Sequence, residues 1–155
     1  MSIPTLRSRY HPTSLPVCLR SGSPTSGLTT TMPLAIIEDP LTLEDLKLLL
    51  EEGNPGVVVV QFTASWCGPC QRIKPHVQRW FGLLPHNVQR VIIDIDESIE
   101  IYSHMKARKM LKGIPAIMAY RSGNVTPIFD DAVNCSDLGE IDLFFERVVA
   151  MARSQ

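Results

Sequence analysis

Val57-Val58-Val59-Val60-Gln61-Phe62-Thr63-Ala64-Ser65-Trp66-Cys67-Gly68-Pro69-Cys70 changes character at its midpoint, and the lines that follow it extend the change. Residues 57–62 are β-branched or apolar at nearly every position, the pattern of a middle strand covered on both faces of a sheet. Past the cysteines, Ile73, Val77, Trp80, Phe81 and Leu84 recur at intervals of three and four, which marks one face of a helix. A buried strand therefore passes directly into a helix, with two cysteines at the junction. Pro75 falls inside that helix, so one backbone hydrogen bond is missing and a kink is expected near residues 71–75.

Toward the N-terminus, Thr42-Leu43-Glu44-Asp45 sets a capping hydroxyl three residues before an acid. Leu43, Leu46, Leu49 and Leu50 follow at helical spacing until Gly53-Asn54-Pro55-Gly56 ends the run. Toward the C-terminus, Val88 to Ile95 is a second β-branched strand, and Ile101, Tyr102, Met105 and Met110 mark a further helix face. Ile114 to Tyr120, a turn at Arg121-Ser122-Gly123-Asn124, and Val125 to Phe129 read as a β-hairpin. The last segment runs from Ser136 or Asp137 to about Ala152 with Leu138, Ile141, Phe144, Phe145, Val148 and Val149 on one side. Its acids come early and Arg147 and Arg153 late, as the helix dipole favours. The order helix, strand, helix, strand, helix, strand, strand, helix implies an α/β fold: a mixed central sheet with helices on both faces.

The chain has 155 residues, with 15 Lys plus Arg against 16 Asp plus Glu. That balance offers no electrostatic footprint for nucleic acid, and no apolar run approaches the ~18 residues of a membrane-spanning helix. Neither nucleic acid nor a membrane is an expected partner, and the domain is expected to be a monomer. The first 37 residues contain no acid and only Arg7, Arg9 and Arg20 as charges, among many Ser, Thr and Pro. This is the composition of an organelle transit peptide, and equally of a disordered tail or of an upstream extension to a chain starting at Met32. Residues 1–33 are expected to form this leader and 34–155 one domain with a single core. The protein is cytoplasmic if the leader is not a targeting signal, and mitochondrial or plastid if it is. Cys18, in the leader, reads as an incidental thiol.

Four cysteines are too few for a disulfide scaffold at this size. Cys67 and Cys70 instead suggest sulfur chemistry. At a helix N-terminus, unpaired N–H groups and the macrodipole favour a thiolate, lowering a thiol pKa into the range ~3.5–7.5 seen at such sites. Cys67 is thus the expected attacking sulfur. Spacing i, i+3 brings Cys70 to the same edge of the first turn, where Cα separations of about 5.5 Å allow a disulfide, so Cys70 is the expected resolving sulfur. Gly68 is expected to permit the tight turn, and Pro69, lacking an N–H, to stiffen an early helical position where no donor is needed.

Trp66-Cys67-Gly68-Pro69-Cys70 after a Val-rich strand resembles the active site of the thioredoxin family. Pro75 resembles its helix-kinking proline, Asp94-Ile95-Asp96 the end of its next strand, Gly113-Ile114-Pro115 the segment whose Ile-Pro bond is cis, and Gly123 its hairpin glycine. The resemblance runs in one order from residue 35 to residue 152. It implies a thioredoxin-like fold and a protein-disulfide reductase cycling between the Cys67/Cys70 dithiol and disulfide. It further implies that Trp66 partly shields the sulfurs, that Pro115 lies against them, and that Ile114 lends backbone groups to the bound substrate chain. No cofactor is bound on this reading; the redox-active disulfide carries the electrons. They come from thioredoxin reductase drawing on NADPH, or from an equivalent donor, and pass to protein disulfide substrates.

Three positions depart from the family pattern. Gln61 stands where a buried acid is usual and Ile92 where its Lys partner often lies. Gln61 becomes a candidate proton relay, holding a water in place of the carboxylate, or simply a structural polar residue on a strand edge. Asp131 replaces a glycine flanking the substrate groove and, with Asp130, would add negative charge to the docking face. Lys106, Arg108, Lys109 and Lys112 form a solvated helix face or a partner-docking patch.

Zinc would need four ligands, and Cys135, His76, His86 and His104 make no second pair at ligand spacing, so no metal is expected. The three histidines read as surface or satisfied side chains. Cys135, just before the last helix, reads as a passive thiol or as one lowered by the helix dipole. Two rival functions remain: a disulfide isomerase or oxidant, and a thioredoxin-fold scaffold without turnover. Pro69 favours the reducing side, because the family's oxidants usually carry His there.

Overall fold

The computed structural model describes residues 32–155, so Cys18 and the leader through residue 31 lie outside the described residues. The elements are α1 (Leu43–Glu52), β1 (Val57–Thr63), α2 (Gly68–Leu83), β2 (Val88–Asp94), α3 (Ile99–Ala107), β3 (Ala116–Arg121), β4 (Asp131–Val133) and α4 (Leu138–Arg153). The order is the one expected from the periodicities. Helix α1 opens with a reciprocal capping box: the Asp45 N–H donates to the Thr42 hydroxyl at 3.2 Å and the Thr42 N–H to the Asp45 carboxylate at 2.8 Å.

The sheet order is β2-β1-β3-β4, with β1 parallel to β2 and antiparallel to β3, and β3 antiparallel to β4. Alternate residues of β1 face two separate cores. Val58, Val60 and Phe62 pack with Leu46, Leu49 and Leu50 of α1 and Ile101 and Met105 of α3. Val57 and Val59 pack with Ile73, Val77 and Phe81 of α2 and Phe144, Phe145 and Val148 of α4. Both faces being covered, β1 has no polar side and hence no alternation. Each fully buried Val or Phe there contributes on the order of 1.5–3 kcal/mol. Ahead of α1, Ile37 bridges Val91 in parallel, its N–H donating to Arg90 O at 3.0 Å and its C=O accepting the Ile92 N–H at 2.8 Å.

Three local expectations are corrected. The hairpin's returning strand is Asp131–Val133 rather than Val125 to Phe129. Pro127 has no N–H to give a ladder, and side chains hold the intervening loop instead. Asn124 Nδ2 donates to Ile128 O and to Asp130 Oδ2, each at 2.8 Å, and the Tyr120 hydroxyl donates to Pro127 O at 3.1 Å. Pairing resumes only where the Asp130 N–H meets Ala119 O at 2.9 Å. Gly123, with φ of +87°, makes the turn itself. Helix α3 ends at Ala107, and Lys109 (φ +56°) turns the chain so that Met110 packs on the core from the following loop. Strand β2 stops one residue short of Ile95.

Candidate active site

Strand register gathers four loops at one end of the sheet. Thr63 pairs with Asp94, Phe62 with Ala116, and Ile117 with Val133. The chain leaving β1 and β2, the chain entering β3 and the chain leaving β4 therefore meet there, and the cysteines lie on the first of these.

Cys67 is the N-cap of α2, its Sγ accepting the Cys70 N–H at 3.3 Å. The two cysteines form a disulfide with a Cα separation of 5.2 Å, and both are buried. Pro69 occupies the first turn, where no intrahelical donor is required. The turn does not require Gly68: its φ is not positive, and a Cβ there would meet nothing nearer than Arg72 Nη1 at 3.8 Å. Gln71, which the sequence reading passed over, fixes the loop by donating from Nε2 to Ala64 O at 2.9 Å, beside the Cys67 N–H to the same oxygen at 3.2 Å. Trp66 is 66% exposed, and its indole N–H donates to Asp96 Oδ2 at 2.8 Å, tying the cysteine loop to the loop after β2.

The Ile114–Pro115 peptide is cis, with Pro115 buried and Ile114 half-buried. Gln61 lies on the central strand between Ile92 and Ile117, not on a strand edge, and is buried. With Thr63, Ile92 and Asp94 it lines a cavity of about 260 Å³ whose charged members also include Glu38 and Lys74. Such a polar space is ample for water.

Asp131 does not add free charge beside this end of the sheet. Arg147 binds it through Nε at 2.6 Å and Nη2 at 3.2 Å, a bidentate pair that also raises the guanidinium's pKa. The Asp130 carboxylate likewise accepts from the Arg121 N–H at 2.8 Å and from Asn124. Cys135 is a free, half-buried thiol packed on the second core. The N-cap of α4 is Asp137, whose carboxylate accepts the Glu140 N–H at 3.0 Å, so Cys135 lies two residues outside the cap. His76 is satisfied, Nε2 lying 2.6 Å from Asp142 Oδ1 and Nδ1 accepting from Arg79 at 2.7 Å. His104 departs from expectation: its Nε2 is buried without a partner among the described residues. Lys106, Arg108, Lys109 and Lys112 are all exposed. Among the described residues no cluster of metal-ligating side chains occurs, and no helix is long and apolar enough to cross a membrane.

The thioredoxin family model matches residues 41–141. The thioredoxin of Geodia cydonium is 33% identical over 99 residues, covering 64% of this chain and 89% of that protein. Thioredoxin-2 of Pyricularia oryzae is 28% identical over 108 residues, covering 70% of this chain and 59% of its own length. Among solved structures, Trichomonas vaginalis thioredoxin superposes with a TM-score of 0.59 at 26% identity, covering 73% of this chain and 96% of that one.

Proposed function

The chain belongs to the thioredoxin family and is a thiol–disulfide oxidoreductase, and on that premise we propose that Cys67 is its attacking sulfur and Cys70 its resolving one. The observation that carries this assignment is the Cys67–Cys70 disulfide at the N-terminus of α2, Cα atoms 5.2 Å apart. In the reduced enzyme the Cys67 thiolate attacks one sulfur of a substrate disulfide. That S–S bond breaks, a mixed disulfide forms, and the departing sulfur takes up a proton. Cys70 then loses its proton and attacks Cys67 Sγ, releasing the second substrate thiol and leaving Cys67–Cys70 oxidised. Two electrons have moved to the substrate. The free N–H groups of the first turn favour the thiolate that begins the cycle.

Water in the cavity beside Gln61 carries the Cys70 proton away, since an amide orients water without itself taking the proton. Trp66 covers the sulfurs, and Ile114 and Pro115 border the substrate. Pro69 keeps the couple on the reducing side. The chain needs no bound cofactor or metal; thioredoxin reductase using NADPH, or an equivalent donor, regenerates the dithiol.

Residues 1–33 decide the compartment, and fusing them to a fluorescent reporter reads it directly: import marks a mitochondrial or plastid protein, diffuse signal a cytoplasmic one. The test of the chemistry is insulin reduction with dithiothreitol as donor, comparing the 155-residue chain with Cys70→Ser. Turnover is expected in the parent and loss of at least about a hundredfold in the variant, whose mixed disulfide cannot be resolved. A folded parent without turnover would transfer the case to a scaffold role.

A further inference from the structure

Asn134, the first residue after β4, makes three hydrogen bonds to the segment that enters β3. Its Nδ2 donates to Gly113 O at 2.9 Å and to Pro115 O at 2.8 Å, and its Oδ1 accepts the Lys112 N–H at 3.0 Å. Lys112 O is taken up separately by Lys106 Nζ at 2.8 Å. Ile114 is the residue left over. Among the described residues neither its N–H nor its C=O has a hydrogen-bond partner, although the carbonyls on both sides of it do.

The placement of this open residue matters. Ala116 pairs with Phe62, so Ile114 stands at the end of the sheet where β1 runs on to Cys67. An open N–H and C=O on a fixed backbone can add an extended peptide by main-chain pairing. Pairing of that kind needs a rigid template, because a loop that must be ordered on binding subtracts its ordering entropy from affinity.

We propose that Asn134 is a positioning residue, clamping residues 112–115 so that Ile114 presents its N–H and C=O to an extended polypeptide carrying the disulfide. The inference rests on Cys67 being the attacking sulfur. It takes from that same reading that Ile114 borders a peptide substrate; a small disulfide has no backbone to pair, so the clamp acts on the first and not on the second. Only a side chain with two donors and an acceptor on one plane fits the clamp. Aspartate has the same shape and keeps the Lys112 contact, but it has no donor for the two carbonyls and sets a negative charge against their oxygens.

The test uses the 155-residue chain as parent, Asn134→Asp and Asn134→Ala, with two probes. Insulin supplies a protein disulfide and 5,5′-dithiobis(2-nitrobenzoate) a small one. In both variants KM for insulin is expected to rise by roughly fivefold to tenfold with kcat little changed, the loss of about two hydrogen bonds to the template. The rate constant with the small disulfide is expected to match the parent's. If Asn134→Asp fails to fold, as read by circular dichroism, Asn134→Ala carries the comparison. An unchanged insulin KM in a folded variant overturns the proposal, and so does a parallel loss with both probes, which would signal a general disturbance of the sulfur site. A parent that reduces neither probe overturns the dithiol reading itself, a result distinct from either of those.

Discussion

Gln61 sits on the middle strand, buried, with its amide lining the cavity that also contains Ile92 and Asp94. On the proposed cycle the resolving step removes a proton from Cys70, and an amide beside water can only relay it. A carboxylate at the same position would supply that water with a base. Gln61→Asp is therefore expected to shorten the lifetime of the mixed disulfide by about tenfold or more, less than the ~10²–10⁴-fold typical of a positioned base because water already relays the proton. The same change buries a charge whose former Lys partner position is occupied by Ile92, so the variant is expected to melt at a lower temperature. Stopped-flow decay of the mixed disulfide with insulin checks the first effect. An unchanged lifetime would show that proton transfer from Cys70 does not limit this enzyme.

Helices α2 and α4 are joined by polar and aromatic contacts that converge on Asp142. His76 and Trp80, one helical turn apart on α2, both reach Asp142 Oδ1 at 2.6 Å, and Trp80 stacks on Phe145 with ring centroids 5.3 Å apart. The Trp80 hydrogen bond first, then the His76 hydrogen bond and charge and the Arg79 charge, hold the Asp142 carboxyl below its ordinary range against some desolvation. A depressed folded-state pKa gives stability that is complete above the unfolded value near ~3.9 and is lost as pH falls through the folded value. Asp142→Asn is thus expected to lower the melting temperature at pH 7, with the gap to the parent closing below about pH 4. Thermal melts across that interval check it, and a gap independent of pH would remove the charge from the explanation.

What the sequence displays among these elements is what lies close together along it. Cys67 and Cys70 are three residues apart, Thr42 and Asp45 likewise, and β1 carries its burial in its own composition, so each could be read locally. The hairpin's return could not, because the side chains of Tyr120, Asn124 and Asp130 close that loop by bonds to Pro127 O, Ile128 O and the Arg121 N–H, and a β-branched run alone does not reveal them. Asn134 was missed for the same reason: its partners lie 19 and 21 residues earlier at Pro115 and Gly113. The Arg147–Asp131 pair, 16 residues apart and bridging α4 to β4, likewise turned an expected free charge into a neutralised one.

At the scale of the whole molecule, the segment before α1 completes the sheet's outer edge. Gln89 Nε2 donates to Ala35 O at 2.8 Å, and the buried Arg90 guanidinium donates to Leu34 O and, at 2.7 Å, to Phe81 O. Ile37 adds the two backbone bonds of its bridge to β2, and Glu38 then reaches the cavity beside Gln61. Among the described residues the contacts of this strap thus reach back to Leu34, although the family match begins at residue 41. Arg90 has no carboxylate among its hydrogen-bond partners in the described residues; burial lowers its pKa, and carbonyl oxygens take its two Nη groups while Nε is buried without a partner there. Removing residues 1–37 would strip it of Leu34 O and leave a buried donor without a protein acceptor, besides exposing one side of β2. A chain of residues 38–155 is expected to be less stable by about 2–4 kcal/mol than one of residues 32–155, the loss of several bonds including one to a charged group. Urea titration checks this through a lower midpoint at similar slope. Equal midpoints for the two would mean that the first helix, and not the strap ahead of it, is where the stable domain starts, and that Arg90 finds its acceptors in water.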